Sequence, residues 1–152
     1  MTDTSDREIV HSRLLNAPRE LVYEAFTQPQ HVAQWWGPNG FTNTIHEMDV
    51  RPGGVWRFIM HGPDGTDYSN RVVFQEVQPP ERLVYEHGSD IDNDPNRFHV
   101  TTTFKDQGAK TLITMRLLCQ SAEQCERFKK FGAVEGGRQT LARLEEYLPS
   151  MR

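Results

Sequence analysis

Apolar and polar positions change their period twice along this chain. Glu8 to Leu15 is a short apolar run and reads as a strand. Asn16-Ala17-Pro18-Arg19-Glu20 then supplies helix-start chemistry, with an Asn to cap and a Pro in the first turn. Leu21, Val22, Ala25 and Phe26 follow at helical spacing until Thr27-Gln28-Pro29 breaks the pattern. A second short helix, about Gln30 to Trp35, runs into Gln34-Trp35-Trp36-Gly37-Pro38-Asn39-Gly40-Phe41. The Gly-Pro and Asn-Gly steps end that helix, so two very large anchors stand where helix gives way to sheet.

From Phe41 onward the period is that of strands. Thr42 to Val50 is followed by the turn Arg51-Pro52-Gly53-Gly54. Val55 to His61 alternates most clearly, with Trp56, Phe58 and Met60 on one face and Val55, Arg57, Ile59 and His61 on the other. Gly62-Pro63-Asp64-Gly65 is a hairpin turn, Tyr68 to Val77 pairs back, and Gln78-Pro79-Pro80-Glu81 turns again. Leu83 to His87, a polar loop from Gly88 to Pro95, and a hairpin of Phe98 to Phe104 with Thr111 to Leu118 complete about seven strands, mostly meandering and antiparallel.

The last segment is helical again. Ser121 and Gln124 form a Ser-x-x-Gln capping box. Phe128, Phe131, Val134, Gly137, Leu141, Leu144 and Leu148 step by three or four and mark one apolar stripe. Gly132, Gly136 and Gly137 interrupt it, each costing up to about 1 kcal/mol relative to Ala inside a helix. Either the helix breaks near Gly132 to Gly136, or something lies against it too closely for a side chain. Gly137 falls on the stripe itself and leaves room between helix and sheet.

Composition narrows the class. One domain over 8–150, preceded by a flexible stretch 1–7, is the expectation for 152 residues without repeat or linker. Apolar residues make up 36% and aromatics 10%, so the core is built from few, large side chains. A net charge of −4 argues against nucleic acid, which needs a basic stripe. There is no membrane span, the start is acidic and polar, and a cytoplasmic address is the default expectation. Cys119 and Cys125 match no zinc spacing and read as reduced thiols.

The candidate chemistry is mostly apolar. Trp36, Phe41, Trp56, Phe58, Met60, Tyr68, Tyr85, Phe98, Met115 and Phe131 either fill the core or line a pocket for a hydrophobic ligand. Asn70, His87 and Thr102 share strand parity with inward residues, so each either orients a ligand or meets another buried polar group. For acid–base work His61, His87, His99, Asp49, Glu47 and Glu76 are available, but no spacing pairs them. Asp49 and Arg51 read as an ion pair flanking a turn. No nucleophile elbow or phosphate loop occurs, and the six histidines never recur at metal-ligand spacing, so neither a cofactor nor a metal is expected. Alternating charge along the last helix reads as a solvated face.

Strand, two short helices, a six-stranded meander and a long final helix is the order of the helix-grip fold, an α+β architecture in which a curved sheet wraps the last helix. Asn16-Ala17-Pro18-Arg19-Glu20-Leu21-Val22-Tyr23 resembles the opening of domains related to START lipid-transfer proteins and polyketide cyclases. Gln34-Trp35-Trp36-Gly37-Pro38, Arg51-Pro52-Gly53-Gly54, Trp56-Arg57-Phe58 with Gly62-Pro63-Asp64-Gly65, and Pro79-Pro80-Glu81-Arg82-Leu83 resemble one branch of these. That family is named after the activator of the ninety-kilodalton heat-shock chaperone's ATPase. The ending, Glu135-Gly136-Gly137-Arg138-Gln139-Thr140-Leu141 with Leu144 and Tyr147-Leu148, resembles its bacterial members. The resemblance implies a single START-like, ligand-binding domain. With the Trp56/Phe58/Met60 face opposite Gly137, the expected function is binding of a small hydrophobic or amphipathic molecule between sheet and final helix. A cyclase- or hydrolase-like activity in the same cavity, using His87 or a neighbour, and a chaperone-regulating interaction module are the alternatives. A chaperone contact and a homodimer remain open as partners.

Overall fold

The computed structural model describes residues 5–151. After a 3-10 turn at Ser5–Arg7 come β1 (Glu8–Leu15), α1 (Arg19–Thr27), α2 (Pro29–Trp35), β2 (Thr42–Met48), β3 (Val55–His61), β4 (Asp67–Gln78), β5 (Arg82–Ser89), β6 (Phe98–Gln107), β7 (Lys110–Leu118), α3 (Ala122–Lys130) and α4 (Ala133–Tyr147). Of the stretch 1–7 expected to be flexible, residues 1–4 lie outside the described residues.

All seven strands form one antiparallel sheet in the order β1-β7-β6-β5-β4-β3-β2. The first strand pairs with the last, Glu8 opposite Leu118 and Leu15 opposite Thr111. Since β1 and β2 are the two edges, the chain between them must cross the sheet. Helices α1 and α2 make that crossing. Register shifts between Ile45 and Glu47 and between Phe74 and Glu76 bend the sheet, as bulges do. The concave face buries Trp56, Phe58, Val72, Phe74, Leu83, Tyr85, Val100, Phe104 and Ile113 against Phe26, Trp35, Trp36, Leu141, Leu144 and Leu148. Each such large side chain contributes about 1.5–3 kcal/mol of burial. This is the α+β helix-grip fold, and among the described residues no helix is long and apolar enough to cross a membrane.

Local details depart from the sequence expectations for identifiable reasons. Helix α1 is capped by Pro18 without a side-chain hydrogen bond, so Asn16 is not its cap. Ser121 Oγ does accept from Gln124 N at 3.1 Å. The Gln124 side chain turns elsewhere, accepting from Gln120 N at 2.7 Å and donating to Asn96 O at 2.9 Å, so only half of the capping box forms. The final helix is two helices, because Gly132 takes a left-handed conformation with φ 86° between α3 and α4. A helix axis re-aimed at that point cannot carry one continuous stripe. Phe131 is 89% exposed and Val134 is 51% exposed, while Leu141, Leu144 and Leu148 are buried.

Candidate functional site

Between the concave sheet and the α3–α4 pair lies a cavity of about 370 Å³. Its sheet wall is Tyr85, His87, Phe98, Val100, Met115 and Leu117, with Met60 and His11 at the sides. Phe128, Phe131, Gly132, Ala133, Gly136, Gly137 and Thr140 form the helical wall, and Trp36-Gly37-Pro38 closes one end.

The closing loop is held from two directions. Trp35 is fully buried and donates Nε1–H to Ala25 O at 3.1 Å, while Trp36 meets Phe26, Trp56 and Phe58 edge-on. From α4, the Arg143 guanidinium donates to the carbonyls of Trp36 (3.2 Å), Gly37 (2.8 Å), Pro38 (3.0 Å), Gln34 (3.3 Å) and Phe41 (3.0 Å). A planar fork of five donors suits such a ring of acceptors. Burial pulls the Arg143 pKa below its ordinary value, yet guanidinium stays charged in proteins. Asn43 adds Nδ2–H to Trp36 O at 2.9 Å. The loop's carbonyls therefore turn away from the cavity and into protein donors.

On the opposite side, the two explanations for the glycines both hold. Gly132 breaks the helix, and the His11 imidazole lies where a Gly137 side chain would begin, its Nδ1 2.7 Å from an ideal Cβ. The His11 ring fills the room at Gly137, and its Nε2 donates to Val134 O at 2.9 Å.

His87 is the polar feature of the sheet wall. Asn70 donates Nδ2–H to Tyr68 O at 2.9 Å, which turns its Oδ1 toward His87 Nε2 at 3.0 Å. An amide oxygen only accepts, so Nε2 carries the hydrogen. The ring packs among Phe98 (5.0 Å), Phe58 (5.9 Å) and Trp36 (6.4 Å). Burial pushes its pKa down to about 4, leaving it neutral at neutral pH. Tyr85 is buried with its hydroxyl 3.4 Å from Thr102 Oγ1, and burial raises its pKa.

Of the residues singled out in the sequence, Trp36, Met60, Tyr85, His87, Phe98, Met115, Phe131 and Gly137 come together on the cavity wall. Six do not. Trp56 and Phe58 stack on each other at 4.3 Å, in the core beneath Trp36. Thr102 is sealed beside Tyr85. Asn70 orients His87 without lining the cavity. Phe41 and Tyr68 pair at 6.1 Å away from it, with Tyr68 48% exposed near the start of β4. Strand parity gives the face of a residue, but not how far the covering helices reach along it.

Sequence reasoning missed His11, Gly37, Pro38, Val100, Leu117, Phe128, Gly132, Ala133, Gly136 and Thr140. A signal existed for part of this set: Phe128, Gly132, Gly136 and Thr140 are spaced by four, one helical row beside the apolar stripe. Leu117 shares parity with Met115. Nothing local marks His11, which reaches the cavity only because β1 pairs with β7 under α4.

The other titratable groups pair outside the cavity. His99 Nδ1 meets Glu86 at 2.9 Å, and Asp49 meets Arg51 at 2.6 Å in a largely exposed pair. His61 bridges Asp67 (2.7 Å, Nδ1) and Thr44 (2.8 Å, Nε2), the order of a nucleophile relay. It lies on the face of β3 opposite the Trp56/Phe58/Met60 face, with Thr44 and Asp67 exposed to solvent. Among the described residues, no three or more of His, Cys, Asp and Glu cluster as metal ligands would.

Solved structures share this fold. A protein from Arthrobacter aurescens superposes with a TM-score of 0.89 at 21% identity, covering 99% of this chain and 90% of that one. One from Nitrosomonas europaea gives 0.86 at 22% identity over 100% of both chains. An AHSA1 protein from Silicibacter pomeroyi gives 0.77 at 21% identity, covering 95% and 99%. Among curated proteins, none matches this chain. The family model described as Activator of Hsp90 ATPase homolog 1-like protein matches residues 16–149. With the helix-grip sheet, the buried Trp-Trp loop and a match over most of its length, the chain belongs to the family of activator of Hsp90 ATPase homolog 1-like proteins.

Proposed function

We propose that the cavity binds a small apolar or amphipathic molecule, aromatic or lipid-like in body, without chemical conversion. The observation that carries this reading is the cavity itself: about 370 Å³ of space walled by aromatic, aliphatic and glycine surface. Pockets for small molecules are of this size and character. Burying about 200 Å² of apolar ligand surface contributes roughly 5 kcal/mol before the costs of association.

The polar groups support binding over catalysis. His87 is held by an amide rather than a carboxylate, and its depressed pKa suits a fixed neutral acceptor. The Thr44–His61–Asp67 relay is on the far face of the sheet. A cytoplasmic address belongs to this reading, supported by the free, buried Cys119 and Cys125 thiols. A chaperone contact has the family name alone behind it.

Gly136→Phe tests the location. A Cβ at Gly136 meets only Pro38 Cγ, at 3.4 Å, so the ring is accommodated by occupying the cavity. In an NMR titration with the neutral probe 2-methoxynaphthalene, wild type shows shifts at Met115, Phe98 and Trp36, and the variant binds at least tenfold more weakly with its fold retained. Equal binding by the variant would place the ligand elsewhere. Native mass spectrometry of the intact protein shows whether a natural ligand co-purifies.

A further inference from the structure

Most side-chain donors on this cavity wall are spent on the protein itself. His11 gives its Nε2–H to Val134 O, Thr140 gives its hydroxyl to Gly136 O, and His87 gives its Nε2–H to Asn70 Oδ1. The carbonyls of Trp36, Gly37 and Pro38 are taken by Arg143. The Trp36 indole N–H and His11 Nδ1 have no partner among the described residues, and neither has His87 Nδ1, the acceptor set among the aromatic rings of the sheet wall. The tautomer fixed by Asn70 makes His87 Nδ1 a bare acceptor, and no described residue donates to it. It belongs to a ring that forms part of the wall.

We propose that the ligand of this cavity is an uncharged molecule carrying a hydroxyl on an apolar body, and that the hydroxyl donates its hydrogen to Nδ1 of His87. The inference rests on the cavity being a ligand site and adds a rule for what enters it. A ligand without a donor leaves Nδ1 buried and unpaired, a loss comparable to a hydrogen bond. A carboxylate brings only acceptors, and among the described residues no Lys or Arg lines the wall to offset its desolvation. Apolar walls with a few convergent polar groups fix orientation as well as affinity. The burial that keeps the His87 pKa near 4 also keeps Nδ1 deprotonated across the neutral range.

Three probes of one shape separate the possibilities at pH 8: 2-naphthol, 2-methoxynaphthalene and 2-naphthoate, titrated into the intact protein. The expected result is that the naphthol binds about tenfold more tightly than its ether, the worth of one hydrogen bond to an otherwise unpaired acceptor, and that the naphthoate binds weakest. In His87→Phe the advantage of the naphthol over the ether disappears while the ether still binds. Equal affinities for naphthol and ether in wild type overturn the donor rule and leave the cavity reading intact. A preference that survives in His87→Phe, or a naphthoate that binds tightest, overturns it equally. If none of the three binds, the cavity reading falls and the donor rule with it. Imidazole ¹⁵N NMR on wild type gives a second readout that does not depend on the variant folding. The His87 Nδ1 resonance moves with naphthol and not with ether, and a resonance indifferent to naphthol refutes the contact.

Discussion

The two ends of the cavity are built on opposite principles. At one, the Gln34–Phe41 loop is nailed down by buried tryptophans and by an arginine that satisfies five carbonyls at once. At the other, the α3–α4 junction turns on a single left-handed glycine and leaves Phe131 89% exposed at the cavity's edge. The loop is irregular yet rigid, because its backbone groups have protein partners and its side chains are in the core. The junction is helical on both sides yet thin, because regular backbone bonds do not replace missing side-chain contacts. Secondary structure is therefore a poor guide to which wall can yield. Stability is unevenly distributed, and segments with few buried contacts open first.

The sharpest way to break this contrast is at Arg143. Arg143→Met keeps an unbranched apolar stem and removes all five donors, and denaturant unfolding should show a loss of about 3 kcal/mol, since hydrogen bonds from a charged donor are among the stronger ones. A loss under 1 kcal/mol would mean that water replaces the guanidinium and the loop is not clamped. Acid probes the wall between the two ends. His87 has a folded pKa of about 4, below its unfolded value near 6.5, so between these values the unfolded chain binds the proton and the folded one does not. Its contribution is fully present above about pH 6.5 and is lost as pH falls toward 4, by about 3 kcal/mol. Subtracting the stability curve of His87→Phe from that of wild type isolates the effect, and a flat difference would mean that the ring is solvated.

Smaller effects belong to the junction. Gly132→Ala forces a side chain into a left-handed conformation and should cost about 1–2 kcal/mol, read from thermal unfolding, with faster amide exchange in α3 and an unchanged Gln34–Phe41 loop. Exchange rising equally in that loop would show that the two ends are one cooperative unit. Phe131→Ser should change stability by less than about 0.5 kcal/mol, because the ring is already in water. A large loss would show that Phe131 folds inward in solution.

How legible was this molecule in its sequence? The strands were legible to within a few residues, since alternation follows from one face of the sheet being buried; β1 and β3 have the expected bounds. Part of the cavity wall was legible for the same reason, Met60, Tyr85, His87, Phe98 and Met115 all sharing the inward face. Trp56 and Phe58 have that parity too, but the loop carrying Trp36 covers them. Tyr68 has it and remains half in water. Parity is a local property, while cover is supplied by chain far away in sequence.

By itself, then, the sequence determined the order of elements, the family and the aromatic character of the concave face, because each is written in local periodicity or in contiguous motifs. Only the tertiary structure decided that Arg143 caps a loop about a hundred residues away. It alone set His11 against Gly137, and it alone fixed the His87 hydrogen through an amide on the neighbouring strand. The physical reason is common to all three. A hydrogen bond or a packed ring is specified by positions in space, and those positions exist only once the sheet has curved and the last helices have closed over it.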